Sequence, residues 1–165
     1  SYFRYEDINS NEVIDTDAVE GKYGNTITIA DYAKTIADYV LVESPEEETA
    51  TYTLDEQTYV FKYAKVASVR TKHIKQGTQV SVADDVVENG YEGKAYTTSP
   101  VTLAKYDLVV TPANAEGTMA VTDETSETLV VYEYALKAAK VNVKYVDINS
   151  SEVVKTETIT GHIDE

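Results

Sequence analysis

The sequence predicts an α+β, strand-rich protein built as tandem repeats in an elongated rod, and three observations carry that prediction. First, the block Tyr5-Glu6-Asp7-Ile8-Asn9-Ser10-Asn11-Glu12-Val13 returns as Tyr145-Val146-Asp147-Ile148-Asn149-Ser150-Ser151-Glu152-Val153. A weaker copy lies between them: Gly21-Lys22-Tyr23-Gly24 returns as Gly90-Tyr91-Glu92-Gly93, and Tyr39-Val40-Leu41-Val42 as Tyr106-Asp107-Leu108-Val109. Second, each copy has the order strand, strand, helix, strand, strand, which is one helix against one small sheet. Third, the links Lys65-Val66-Ala67 and Leu136-Lys137-Ala138-Ala139-Lys140 lack Gly and Pro. Flexible spacers use Gly and Ser, so these links read as stiff joints. The expected domains are repeat A (1–66), repeat B (67–138) and the start of a third repeat (139–165).

Within repeat A, Tyr2 to Ile8 and Glu12 to Val19 read as strands about the polar Asn9-Ser10-Asn11 corner. Gly21 and Gly24 punctuate the next junction. Residues 30–38 are the expected main helix, because apolar residues at 29, 32, 33, 36 and 40 fall on one helical face. That face should pack Ala33 and Ile36 under the strand that carries Phe61. In repeat B, Ser99 and Pro100 at the same place suit the start of a shorter helix. Tyr39 to Glu43 reads as another strand, ended by Pro45. The strongest strand is the last, where Tyr59, Phe61 and Tyr63 alternate with Val60, Lys62 and Ala64. Both ends of the chain fall inside an element, so the chain reads as a fragment of something longer.

Composition narrows the function. Among 165 residues, 14 Lys plus Arg stand against 29 Asp plus Glu, a net charge of −15. Nucleic-acid binding and charge-driven adhesion to anionic membrane both draw on Lys and Arg, so neither is expected. No apolar run approaches the roughly 18 residues a membrane-spanning helix needs. The absence of Cys excludes a disulfide scaffold and thiolate chemistry. Fourteen Tyr against two Phe and no Trp suit thin sheets, because Tyr buries a ring while keeping a polar tip.

Motifs for chemistry are scarce. The two histidines, His73 and His162, lie in different repeats, and neither belongs to a zinc-binding stretch. No phosphate-binding glycine loop or nucleophile elbow is present. Neither a catalytic residue nor a metal site nor a cofactor is therefore expected. Asp7-x-Asn9-x-Asn11 opens like a calcium loop, but Glu12 stands where that loop needs Gly, so the pattern reads first as a hairpin corner. The Tyr stripes read as core before they read as a stacking platform for sugar rings. One stretch runs against the overall charge: from Gln57 to Ala83 no acidic residue occurs, while Lys62, Lys65, Arg70, Lys72 and Lys75 do. It is either an edge strand guarded by lysines or an anion site, with Arg70, Lys72 and Lys75 the candidate ligand-binding residues. Strand alternation puts Arg70 and Lys72 on one face and Lys75 with His73 on the other.

Val141-Asn142-Val143-Lys144-Tyr145-Val146-Asp147, with Glu152-Val153 and Thr158-Ile159-Thr160-Gly161, resembles the opening of mucin-binding (MucBP) repeats. So does the rhythm of Gly90 to Thr98, Tyr106 to Val109 and Val130 to Tyr134, although Thr71-Lys72-His73-Ile74 replaces the usual opening of repeat B. The resemblance implies ubiquitin-like β-grasp modules of a Gram-positive, cell-wall-anchored surface protein. It implies a non-enzymatic adhesin whose partner is host mucin or a matrix glycoprotein, alongside neighbouring repeats of the same chain. A passive stalk, or a fibronectin-type matrix-binding repeat, fits the same spacing.

Overall fold

A computed structural model describes residues 1–163, and its backbone is strand and turn with almost no helix. The strands are β1 (Tyr2–Asp7), β2 (Val13–Ala18), β3 (Thr26–Thr28), β4 (Tyr39–Glu43), β5 (Thr49–Thr51) and β6 (Thr58–Lys75). They continue with β7 (Ser81–Tyr91), β8 (Ala95–Thr97), β9 (Tyr106–Val110), β10 (Glu116–Thr118), β11 (Glu127–Leu136), β12 (Ala138–Val146) and β13 (Val153–His162). β6 runs unbroken through the link Lys65-Val66-Ala67. A single residue, Lys137, separates β11 from β12.

Contacts divide the chain into two compact units: residues 1–70, 87–97 and 116–129, and residues 71–86, 98–115 and those from 130 onward. In the first unit β1 pairs antiparallel with β2 and parallel with the opening half of β6, from Tyr2↔Thr58 to Asp7↔Tyr63. β4 closes the other side of β6 in antiparallel register, Tyr39 opposite Lys65. The local order is thus β2-β1-β6-β4, with β3–β5 and β8–β10 as small separate ladders. Alternation places Phe3, Tyr5, Phe61 and Tyr63 on one face, where they form the core with Ile29 and Ala50. Burying each such ring is worth about 1.5–3 kcal/mol. Tyr5 stacks on Phe61 at 5.6 Å, and Phe3 on Tyr32 at 4.3 Å. The Tyr stripe is therefore core and no exposed platform.

The second unit repeats this packing. β9 pairs antiparallel with β11, and β12 with β13 in a hairpin from Ala138↔His162 to Val146↔Val153. His73, Ile74, Val130, Tyr132 and Tyr134 are buried there. His73 stacks on Tyr132 at 5.6 Å and tilts against Tyr134 at 5.7 Å. Tyr5 meets Phe61 and Tyr63 in the same two ways, at 5.6 and 6.1 Å. The imidazole thus stands where the first unit has a phenol.

The α component of the expected fold is corrected. Residues 30–38 do not form a helix; a 3-10 turn spans Ile29–Tyr32, the chain then runs without regular structure, and Asp38 takes φ +66°. The physical reason lies in distant hydroxyls. Tyr63 Oη accepts from Lys34 N–H at 3.1 Å and donates to Lys34 C=O at 2.7 Å, while Tyr5 Oη donates to Tyr32 C=O at 2.6 Å. Backbone groups that a helix would pair along its own axis are satisfied by the sheet instead. Ile36 still packs against the core as expected, whereas Ala33 is exposed. The shorter helix at Ser99-Pro100 is absent too: Val101 N–H donates to Tyr134 Oη at 3.0 Å across an irregular segment.

Candidate functional site

The acid-free stretch lies mainly along β6. Alternation buries Ala67, Val69, Thr71 and His73, and leaves Arg70 and Lys72 half-exposed on the opposite parity. Each of these two cations meets a carboxylate supplied by another strand. Arg70 Nε is 3.0 Å from Glu127 on β11, and Lys72 Nζ is 3.0 Å from Asp85 on β7. At this exposure each pair is worth about 0–1 kcal/mol. An anion reaching either cation therefore competes with a resident carboxylate. Lys75 ends β6, where its N–H donates to Val80 C=O at 2.9 Å and its C=O accepts from Thr78.

A second group of charges sits around Lys34 in the first unit. Its ammonium donates to Asp15 at 2.7 Å and Asp17 at 2.9 Å, and lies 4.6 Å over the Tyr5 ring. These hydrogen bonds raise the Lys34 pKa above the ordinary lysine value and lower that of Asp15. Burial, then the nearby Asp17 carboxylate, pushes the Tyr5 phenol up to about 12. Tyr5 therefore stays protonated and keeps its donor role.

The Asp7 corner is a built turn. Asp7 is buried and accepts from Asn9 N–H at 2.8 Å and Ser10 N–H at 3.2 Å, while Asn11 takes φ +61°. These bonds are turn chemistry, as the missing Gly implied. The corner borders a polar cavity of about 510 Å³, with Lys65, Glu92 and Gly93 on its other walls. Asn9 Nδ2 donates to Glu92 C=O at 2.8 Å, and Glu92 N–H donates to Lys65 C=O at 2.8 Å. Among the described residues no group of three or more His, Asp or Glu is placed to hold a metal ion, and no helix is long and apolar enough to cross a membrane.

Sequence reasoning singled out Arg70, Lys72 and Lys75, and missed the carboxylates that face the first two. Glu127 lies 57 residues from Arg70, so strand pairing alone brings it there. It also missed Asp15, Asp17 and Lys34. The alternation of Asp15 and Asp17 on one strand was the available signal, since it puts both carboxylates on one face.

The MucBP domain family matches residues 2–64, 68–135 and 140–165. Internalin J of Listeria monocytogenes serotype 4b is 31% identical over 137 residues, which is 79% of this chain and 14% of that protein. Internalin J of Listeria monocytogenes serovar 1/2a is 28% identical over 172 aligned positions, covering 96% of this chain and 19% of that protein. The chain thus spans less than a fifth of the length of these relatives. Among solved structures, the crystal structure of Mub-RV aligns with a TM-score of 0.32 and 14% identity, over 82% of this chain and 97% of that one. The type 2 repeat of the mucus binding protein MUB from Lactobacillus reuteri gives 0.30 and 14%, over 82% and 98%.

Proposed function

The chain belongs to the MucBP domain family, and on that premise we propose that it is a non-enzymatic adhesin module of a bacterial surface, binding host mucin glycans or glycoproteins. The observation that carries this reading is the threefold family match along one chain, at 2–64, 68–135 and 140–165. The proposed setting is extracellular, on the wall of a Gram-positive cell. We assign the three domains to 1–66, 67–138 and 139–165.

The finer architecture belongs to the same proposal: tandem β-grasp modules following one another in a rod. The mixed order β2-β1-β6-β4, with β1 parallel to β6, supports the β-grasp reading. The connection from β1 to the parallel β6 runs through β2 to β5 and the 3-10 turn, with no α-helix in it. Small-angle scattering tests the rod: its radius of gyration should lie well above the roughly 15 Å of a compact chain this long.

The proposed contact residues are Arg70, Lys72 and Lys75. An acidic chain is repelled by sialylated or sulfated mucin, so binding needs neutral sugars or a local cationic stretch, and charges beyond about 8 Å are screened at physiological salt. Arg70 offers a planar fork to a carboxylate or sulfate, and the two Lys offer point charges. The test is binding to immobilised mucin by the chain and by Arg70→Ala/Lys72→Ala, at low and at high salt. The proposal expects the double variant to lose most of the salt-sensitive binding. Equal binding at both salts would leave β6 a guarded strand and move adhesion elsewhere.

A further inference from the structure

Between the 3-10 turn, β4 and β6 lies a cavity of about 560 Å³ in the first unit. Phe61 and Ile29 are buried in its wall, and Leu41 on β4 stands 37% exposed beside them. The rim is Glu46-Glu47-Glu48, all three exposed, and Glu48 C=O accepts from Ile29 N–H at 3.0 Å, which ties the acidic segment to the 3-10 turn. A volume of this size takes a large apolar side chain together with part of the backbone that bears it. Three carboxylates in a row at the mouth favour a cation next to that side chain and disfavour an anion.

Repeat B supplies an internal comparison. There the counterpart segment and β9 line a cavity of about 260 Å³, and its charged lining residues are Asp107 and Lys137, one of each sign. Residues 111–115, Thr-Pro-Ala-Asn-Ala, replace the acidic run. The larger volume and the acidic rim are therefore features of repeat A.

We infer that the cavity walled by Ile29, Leu41 and Phe61 and rimmed by Glu46, Glu47 and Glu48 binds a cationic peptide segment through one bulky apolar side chain flanked by Lys or Arg. The apolar side chain is removed from water against Phe61 and Leu41, and the flanking cations stay at the solvated rim. Rim charges act mainly on encounter and specificity, so salt weakens the interaction without changing its place. This site is separate from Arg70, Lys72 and Lys75, and its existence does not depend on mucin binding.

The test is a titration of the isotope-labelled chain, followed by amide NMR, with the capped peptide Lys-Lys-Phe-Lys-Lys. Saturable shifts are expected at Ile29 to Ala33, Leu41 and Glu46 to Glu48. Glu46→Gln/Glu47→Gln/Glu48→Gln should weaken binding by about tenfold or more at low salt. Leu41→Lys, which places a resident cation among the glutamates and removes an apolar wall, should abolish it. Leu108→Lys in repeat B should leave it intact, and the spectrum of each free variant reports whether it is folded. Equal binding of Glu-Glu-Phe-Glu-Glu would overturn the charge argument. Equal binding of Lys-Lys-Ser-Lys-Lys, or shifts spread over the acidic surface, would overturn the cavity. A triple Gln variant that is folded and binds as well as the wild type would do the same.

Discussion

The side-chain amide of Asn9 donates to the backbone carbonyl of Glu92 at 2.8 Å, although 83 positions separate the two residues. A corner of repeat A thereby holds a glycine-flanked tip of repeat B. The tip depends on Gly93, which takes φ +91° and whose missing Cβ would stand 2.7 Å from Asn9 Oδ1. The same tip geometry recurs in repeat A: Gly24 N–H donates to Tyr52 C=O as Gly93 N–H donates to Met119 C=O.

Gly93→Ala should therefore destabilise the chain twice over, through the left-handed backbone and through the crowded Asn9. Urea denaturation should show a loss of about 1–3 kcal/mol, against about 0.5–1.5 kcal/mol for Asn9→Ala, which removes one hydrogen bond. A neutral Gly93→Ala would mean that the tip does not rest on the corner.

The hydroxyl of Tyr63 replaces the helix expected at 30–38. Tyr63→Phe leaves Lys34 N–H and C=O without this partner while keeping the ring in the core, and should cost about 1–3 kcal/mol. Ile36→Asp should also cost more than about 1 kcal/mol, since Ile36 packs against the core. Stability unchanged by Tyr63→Phe would show that the segment holds its shape without the sheet.

Strands and turns were legible in the sequence because their signals are local. β4 lies where Tyr39 to Glu43 reads as a strand, and the Asp7 corner is the turn that Asn and Ser favour. The apolar spacing of residues 29–40 suggests a helix but says nothing about Tyr63, whose hydroxyl reaches Lys34 from 29 residues away. The cation stretch was legible as charge alone. What faces it was not, because Glu127 and Asp85 reach Arg70 and Lys72 only through the pairing of β11 and β7 with β6.

His73 gives a pH prediction with a definite sign. Tyr134 Oη accepts from Val101 N–H and lies 2.7 Å from His73 Nδ1, a buried hydrogen bond whose donor is set by the imidazole tautomer. Burial holds the His73 pKa below the ordinary imidazole value, against the pull of Asp85. As pH falls below about 6.5 the unfolded chain takes up the proton first, so stability present above that pH is lost toward the lower folded value. His73→Tyr, the residue type of Tyr5, should lose less stability than wild type between about pH 7.5 and about pH 5.5. Equal losses, read as denaturation midpoints, would remove His73 as their cause.

The adhesin reading itself is tested most directly by a glycan array probed with the intact 165-residue chain, with purified mucin and fibronectin spotted beside the defined sugars. The account predicts saturable binding to mucin and to a restricted set of its glycans, in preference to fibronectin. Silence across the sugars and mucin would contradict it and leave the chain a spacer, and binding to fibronectin alone would make it a matrix-protein repeat.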